Sequence, residues 1–413
     1  MLSCSGYAGK VVKIDLSGES ITEYLWDDSD RERYLGGKTM AARILRDCLT
    51  GQESAFSVES PVVIATGPLT GTGAPGSARF DLAALSPRDD LPAFSNCGGD
   101  FGIWLKQAGY DALILTGKCA EKRWLEIHDE KILFHDAQEL WGTGTVDCQK
   151  KLAAILGTEK FGRICIGPAG ENLVKFASVI EDGHASGRAG IGAVLGYKNL
   201  KAITVFGRRN PPVYAPREAA FWNRLWQEDL HAKADETSTS ACRGCPLRCA
   251  KHSQAGEHAV LNDLGLDGIA AEAALARAAE QGFSTQGLYA DIAYRRGIGK
   301  QLAEGILCAG KKGGKRRGGS YGTIQKAFAL SPDDRESNMF CRCLTEAISS
   351  AGQCIFTVKG LRREDGAAPV PPVLKMLTLV TGMEMDLNKF LQIGMRFLEL
   401  EQQLHQICSK NDR

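Results

Sequence analysis

The spacing of the apolar residues changes once along this 413-residue chain, near residues 208–216. Before that point, apolar and polar residues alternate over short stretches bounded by turn residues, which is typical of β-strands. After a connection containing three prolines, apolar residues recur at helical spacing, beginning with "FWNRLW" at 221–226. The sequence therefore predicts an α+β protein, with a sheet-rich domain over 1–208 and a largely α-helical region over 209–413.

Two hairpins are predicted within the sheet-rich region. "KVVKIDLSGESITEYL" alternates around Ser17-Gly18, and "RWLEIHDEKILFHD" does so around Asp129-Glu130. Further predicted strands are "PVVIATGP", "ARFDLAAL", "DALILTG" and "LKAITVFG". Helices are predicted around 38–49 and 146–156, and the glycine-rich basic stretch "KKGGKRRGGSYG" at 311–322 predicts a flexible loop.

Charge and hydropathy exclude some classes of function. The chain has 50 basic and 49 acidic residues, so it has no overall field that would attract nucleic acid or an anionic membrane. Its apolar runs are too short to span a bilayer, and its first residues, "MLSCSGYAGK", do not read as a secretory signal. We therefore expect a cytoplasmic protein that binds neither nucleic acid nor membrane, with its 14 cysteines present as buried thiols and metal ligands.

A cysteine run, "ACRGCPLRCAK", gives the first indication of chemistry. It places Cys242, Cys245 and Cys249 at C-x2-C-x3-C spacing, and such short steps bring sulfurs to one side of a turn. From the residues alone, an iron–sulfur cluster, a zinc site and unligated thiols all remain open. The cysteines that follow the run are candidates for a further ligand, and spacing does not choose among them: Cys308, Cys341, Cys343, Cys354 and Cys408.

Several stretches taken together carry a resemblance to a known family. They are "ATGPLTGTGAPGSARF", "SNCGGDFGIWLKQAGYDALILTGK", "CIGPAGENLVKFASVIEDGHASGRAGIGAVLGYKNLKAI", the cysteine run and "LNDLGLDGIA". In order and spacing they resemble the aldehyde ferredoxin oxidoreductases, which use a tungsten bis-pterin cofactor. The resemblance implies a sheet-rich base domain under the cofactor, two helical domains after it, and oxidation of aldehydes to carboxylic acids. Electrons would pass through a [4Fe-4S] cluster to ferredoxin or an electron-transfer subunit.

The resemblance also implies which residues contact the tungsten or molybdenum pterin, whose phosphates magnesium bridges. The positions that match the family's motifs are Arg79, Asn96, Gly98, Ser186, Gly187, Arg188, Asn262, Leu266 and Asp267. Guanidinium groups and bare backbone N–H groups suit phosphates, and glycine permits their close approach. Asn262 stands where the D-x-x-G-L-D motif has its leading acid.

The family's second motif, D-x-x-G-x-C, implies the missing cluster ligand. It corresponds to "SSAGQC", so the resemblance makes Cys354 the fourth ligand beside Cys242, Cys245 and Cys249. Ser349 stands where this motif has its acid, and serine cannot carry the negative charge. With the resemblance, a [4Fe-4S] cluster is favoured over zinc.

The resemblance breaks after the cysteine run, where family members are longer. "GEHAV" leaves Glu257 and His258 as candidates for proton transfer at the catalytic site, although a solvated pair on a loop is the plain alternative. No counterpart is found for the family's histidine-bearing lid. Two hypotheses follow: a shortened oxidoreductase acting on a small aldehyde-type substrate, or a non-catalytic relative that serves as a scaffold or electron-transfer subunit.

Overall fold

The computed structural model describes residues 5–186, 189–232, 242–247, 257–305, 334–360 and 372–409, with a few positions between 324 and 331. The strands of the described part are β1 (Lys10–Asp15), β2 (Ser20–Glu23), β3 (Val62–Thr66), β4 (Arg79–Leu85), β5 (Pro92–Gly98), β6 (Tyr110–Thr116), β7 (Arg123–His128), β8 (Lys131–Asp136), β9 (Gly162–Ile166), β10 (Val179–Glu181), β11 (His184–Ser186) and β12 (Leu200–Phe206).

The helices lie between these strands and, above all, after them. They are α1 (Asp28–Tyr34), α2 (Gly37–Cys48), α3 (Phe101–Gln107), α4 (Thr145–Leu156), α5 (Pro168–Glu171), α6 (Ile191–Tyr197), α7 (Pro216–His231), α8 (Glu257–Leu264), α9 (Gly268–Glu280), α10 (Leu288–Ala293), α11 (Gly299–Leu302), α12 (Arg335–Ser350), α13 (Pro372–Thr381) and α14 (Leu387–Cys408). A 3-10 helix covers Ile355–Gly360. The predicted α+β class is confirmed.

The strands form two six-stranded sheets. The first has the order β2-β1-β6-β3-β4-β5 and the second the order β11-β10-β9-β12-β7-β8. Both predicted hairpins are confirmed, since β1 pairs antiparallel with β2 and β7 with β8. The pairing of β4 with β5 sets Arg79 opposite Gly98 and Asp81 opposite Asn96. This register gathers the candidate site residues at one end of the first sheet.

Four strands, β5, β9, β10 and β11, lie outside the stretches that the sequence pattern predicts. The pattern of β5, "PAFSNCG", is half-buried and polar in its middle, so period-2 alternation does not stand out. Both β10 and β11 have only three residues. Alternation over so few positions is not distinguishable from a loop. Three of these strands, β5, β10 and β11, border the candidate site, where side chains do more than pack the core.

The core of the first sheet is completed from the far end of the chain. The central strands β3 and β6 are apolar and buried, and α2 packs against β3 and β4. Phe397, Leu400 and Leu404 of α14 join the same apolar cluster, and the rings of Phe94 and Phe397 meet edge to face with centroids 4.9 Å apart. The closing helix is therefore part of the core of the first sheet.

The helical region has two further apolar clusters. One gathers Trp226, Ile348, Leu377 and Phe390 from four different helices. The other packs the alanine face of α9 against residues that precede and follow it in the chain. The stretch predicted as a flexible loop, 311–322, lies outside the described residues. None of the described helices is long and apolar enough to cross a membrane.

Residues 207–215, between β12 and α7, form neither helix nor strand, and the domain boundary placed there stays a prediction. The stretch "YADIAYRRGIGKQL" forms two short helices, α10 and α11, because Arg295 and Gly297 adopt positive φ values of 51° and 48° between them.

Candidate cofactor and cluster site

Arg79, the first residue of β4, faces the predicted cluster ligand Cys354. Its Nη2 donates a hydrogen bond of 2.9 Å to the Sγ of Cys354. Burial by itself lowers the pKa of Arg79, but the nearby sulfurs of Cys354 and Cys242 outweigh burial, so the pKa of the guanidinium is raised above its ordinary value. The two sulfurs therefore stabilise the charged form of the guanidinium.

Cys354 is fixed by the backbone on which it lies. It follows α12 in the turn that leads into the 3-10 helix, and its backbone N–H donates to the carbonyl of Gly76 at 3.0 Å. A Cβ on Gly76, which has a φ of +70°, would lie 3.3 Å from the Cβ of Cys354. The chain before β4 thus packs closely against the segment that presents this thiol.

Cys242, the first cysteine of the C-x2-C-x3-C run, lies close to the same arginine. A Cβ built on Gly98 would lie 2.8 Å from the Sγ of Cys242 and 3.1 Å from Nη1 of Arg79, so only glycine leaves space for both. The N–H of Cys245 donates to the carbonyl of Cys242 at 3.0 Å, which closes a tight turn between the first two cysteines of the run. Gly98, predicted from its motif, has a steric reason to lack a side chain.

The structure thus brings Cys242 and Cys354 to one guanidinium, although 112 positions separate them in the chain. Two soft sulfur donors beside a cation fit a thiolate-bound metal centre. Cys249 lies outside the described residues. Within the described residues, no group of three or more histidine, cysteine, aspartate or glutamate side chains lies close enough to hold a metal ion.

His184 and Glu181 were not predicted from the sequence, and both lie at this site. His184 Nε2 is 4.0 Å from the Sγ of Cys242, and its Nδ1 is 3.5 Å from Oε2 of Glu181. Burial lowers the pKa of His184, but hydrogen bonds with Cys242 and Glu181 outweigh it and raise this pKa to about 10. The only signal in the sequence was their position in "EDGHASGRAG", directly before the matched glycines.

Glu181 is tied to the start of α3. Its Oε1 accepts the backbone N–H groups of Asp100 at 2.6 Å and Phe101 at 3.1 Å. Gly99 lies between β5 and these donors with a φ of +129°, and a Cβ there would overlap the Glu181 carboxylate. The glycine pair of "SNCGG" therefore serves two close approaches, one to a sulfur and one to a carboxylate.

Asn96 belongs to a hydrogen-bonded group with Asp81 and Ser349. Asn96 Nδ2 donates to Oδ1 of Asp81 and to Oγ of Ser349, each at 3.1 Å. The Ser349 hydroxyl donates to the same Asp81 oxygen at 2.9 Å. Asp81 is fully buried, and burial raises its pKa to about 7. Lys38 and the hydrogen bonds that Asp81 accepts from Asn96 and Ser349 act in the opposite direction.

The sheet-rich region of the chain is similar to known proteins. Residues 11–207 match the family model described as the N-terminal domain of aldehyde ferredoxin oxidoreductase. Over these residues, just under half of the chain, the protein is similar to the aldehyde ferredoxin oxidoreductase family. The resemblance found in the sequence motifs is confirmed.

The match covers only part of the length of each curated relative. The tungsten-containing aldehyde ferredoxin oxidoreductase of Pyrococcus furiosus is 39% identical over 209 residues, which cover 50% of this chain and 34% of the relative. The corresponding enzyme of Pyrococcus abyssi is 40% identical over the same length. An aliphatic sulfonate oxidoreductase, WOR-like subunit, of Pyrococcus furiosus is 32% identical over 310 residues, covering 60% of this chain and 49% of the relative.

A solved structure extends the likeness of fold to the helical region. The active site complex BamBC of benzoyl coenzyme A reductase, solved with 1,5-dienoyl-CoA, superposes with a TM-score of 0.80. The alignment covers 98% of this chain and 90% of that chain at 22% sequence identity. At that identity the likeness concerns the fold.

Four further residues implied by the aldehyde ferredoxin oxidoreductase motifs are Ser186, Gly187, Arg188 and Asn262. Ser186 Oγ is 3.1 Å from Oγ of Ser95 on β5, and Asn262 Nδ2 donates to the carbonyl of Gly183 at 2.8 Å, next to His184. Gly187 and Arg188 lie outside the described residues. Both Ser186 and Asn262 therefore lie on the edge of the site that also contains His184.

Leu266 and Asp267 have structural contacts. Leu266 is fully buried and forms an isolated β-bridge with Ala177. The Asp267 carboxylate caps α9 by accepting the N–H of Ala270 at 2.8 Å. Their assignment to cofactor binding stays a prediction.

Glu257 and His258 begin α8, and both side chains are exposed. The Glu257 carboxylate lies near Tyr289 of α10, where its charge adds to the effect of burial in raising the pKa of that tyrosine. Within the described residues, no hydrogen bond or ion pair joins either side chain to Cys354 or Arg79. Their role in proton transfer stays a prediction, and exposure favours the solvated pair.

Proposed function

We propose that this protein is a tungsten- or molybdenum-pterin oxidoreductase that oxidises an aldehyde-type substrate and passes the electrons through a [4Fe-4S] cluster. Cys242, Cys245, Cys249 and Cys354 would hold the cluster. The observation that carries the proposal is the convergence of Cys242 and Cys354 on Arg79. The similarity of residues 11–207 to an oxidoreductase family supports the same class of reaction.

The pterin would supply the two-electron oxidation, and the cluster would carry the electrons one at a time. The protein's own part is to bind and orient these groups. The Arg79 guanidinium offers more N–H donors than its bond to Cys354 uses, so it can also bind a phosphate or ring oxygen of the pterin. Asn96 and Gly98 pair with β4 beside it, and Ser186 and Asn262 line the same edge.

The exposure of the cysteine run suggests where electrons leave. Cys242 and Cys245 are half-buried, and Arg243 and Gly244 between them are exposed. A cluster held there would lie close to the surface, within reach of a docked redox protein. Ferredoxin or an electron-transfer subunit is the partner we propose, and one relative is itself named as a subunit.

A second candidate function is an electron-transfer or scaffold subunit that performs no oxidation itself. The exposure of Glu257 and His258 favours it, because a catalytic acid–base pair works best in a pocket from which water is excluded. This alternative keeps the cluster and dispenses with the pterin.

Metal analysis after strictly anaerobic purification separates the two candidates. About one tungsten or molybdenum with four irons per chain supports the oxidoreductase. Iron alone supports the electron-transfer subunit, and zinc alone contradicts both. Dye-linked oxidation of a panel of small and aromatic aldehydes by metal-replete protein then tests activity, and no turnover with any of them contradicts the first proposal.

A further inference from the structure

Asp81 lies directly behind two residues of the candidate pterin site. It pairs with Asn96 across β4 and β5, and it is fully buried, whereas Asn96 is half-buried. Ser349, at the end of α12, completes the group and stands where the D-x-x-G-x-C motif has an acid. The carboxylate missing from α12 is thus found one hydrogen bond away, on β4.

Hydrogen-bond chemistry fixes how this group is oriented. Oδ1 of Asp81 accepts hydrogen bonds from both Asn96 and Ser349. Asn96 therefore turns Nδ2 inward, and both its N–H groups are used, one on Asp81 and one on Ser349. The single hydroxyl hydrogen of Ser349 is likewise used on Asp81. What the pair can offer on its other side is acceptors: Oδ1 of Asn96 and the remaining lone pair of Ser349.

We propose that Asp81 is a positioning residue that makes Asn96 and Ser349 a pair of acceptors for the N–H donor edge of the pterin ring. Asp81 thereby replaces the carboxylate that the motif lacks at Ser349. A serine whose hydrogen is committed to Asp81 can only accept, which is the hydrogen-bonding role of the lost acid. The inference rests on the proposed function, since it presumes that a pterin binds here.

The surroundings of Asp81 distinguish this role from simple packing. Its Oδ2 is buried and has no hydrogen-bond partner within the described residues. The nearby ammonium of Lys38 pairs instead with Glu346, at 2.5 Å. A buried carboxylate with one unmatched oxygen destabilises a fold, so packing alone does not account for an acid at this position.

The test compares pterin content with iron content in anaerobically purified variants. Asp81→Leu frees the amide and hydroxyl to rotate, and we expect the ratio of tungsten plus molybdenum to iron to fall about tenfold. The double variant Asp81→Ser with Ser349→Asp returns the acid to α12, and we expect it to recover most of the wild-type ratio. Glu171→Gln, which removes a buried carboxylate paired with Lys201 away from this site, is the matched control and should keep the ratio.

The outcomes test the role of Asp81 and the presence of a pterin separately. An unchanged ratio in folded Asp81→Leu overturns the inference, as does a folded double variant that recovers nothing. If Asp81→Leu does not fold, the isosteric Asp81→Asn takes its place; we expect a loss of several-fold, because Oδ1 of Asp81 accepts from both Asn96 and Ser349, whereas the new amide can turn a donor toward them. Wild-type protein that holds iron without tungsten or molybdenum would overturn the pterin proposal itself, and this inference with it.

Discussion

Arg79 donates a hydrogen bond of 2.9 Å to the sulfur of Cys354 across 275 positions of sequence. The contact joins the start of a strand in the first sheet to the turn after α12. Because Cys242 lies on the other side of the same guanidinium, one cation serves two sulfurs. The electrostatics of the proposed cluster therefore depend on a residue that ligates nothing.

Replacing Arg79 should change the reduction potential of the cluster. A reduced cluster carries one more negative charge, so Arg79→Met should lower its midpoint potential by about 60 mV, a tenfold change in the one-electron equilibrium. Arg79→Lys keeps the charge and should shift the potential less. Redox titration followed by electron paramagnetic resonance measures both, with Arg163→Met on the second sheet as a control. Equal potentials in Arg79→Met and wild type would contradict the contact's role.

Cys354→Ala should remove a ligand and with it more than about half of the bound iron. Iron content and the visible absorption of the anaerobically purified variant give the result. Cys343→Ala is the matched control, because Cys343 is also buried and lies on α12, only 11 positions before Cys354. If both variants keep their iron, the assignment of the fourth ligand is wrong.

Gly98→Ala should disturb the same centre through shape alone. Its Cβ would press on the Cys242 sulfur at 2.8 Å and on Arg79, so we expect iron to fall to about half or less of the wild-type content. Gly268→Ala, at a helical glycine where the nearest atom would lie 3.7 Å away, should leave iron unchanged. A full iron complement in folded Gly98→Ala would show that the sulfur does not need this space.

The burial of Asp81 predicts a pH-dependent stability. Burial, with a smaller contribution from Glu346, raises the pKa of Asp81 from 3.8 to about 7 despite Lys38 and the hydrogen bonds from Asn96 and Ser349. The folded protein then binds the proton more tightly than the unfolded chain. This stabilisation is fully present below the unfolded pKa and is lost as pH rises through about 7.

Asp81→Asn does not titrate, so its free energy of unfolding should rise relative to wild type as pH increases between these limits. The relative gain should reach about 4 kcal/mol, from a shift of roughly three pH units. Urea denaturation of the apoprotein over about pH 4 to 8 measures the difference, and the other titrating groups cancel because both proteins contain them. A difference that does not vary with pH would contradict the shifted pKa of Asp81.

The sequence predicted the elements whose pattern is local. The hairpins around Ser17-Gly18 and Asp129-Glu130 depend on alternation and turn residues within a few positions, and both form. The pairing of Arg79 with Cys354 depends on how β4 meets the end of α12. No short-range pattern contains that information, and only the resemblance to a family brought the two residues together.

Residue patterns in the sequence did not predict three residues of the site: Asp81, Glu181 and His184. Asp81 is the single acid in the strand "ARFDLAAL", which is apolar apart from Asp81 and Arg79, and on a strand with one exposed face it would simply be solvated. In the structure both faces of β4 are buried, so Asp81 is a buried carboxyl group and not a solvated one. Glu181 and His184 lie on strands of three residues, where alternation carries no signal.

The place of α14 has a consequence for biosynthesis. The last helix completes the core of a sheet whose first strand starts at Lys10. During translation the part of this apolar cluster that α14 covers therefore stays open until residues 387–408 have emerged. Until then the nascent chain presents apolar surface of the kind that chaperones recognise.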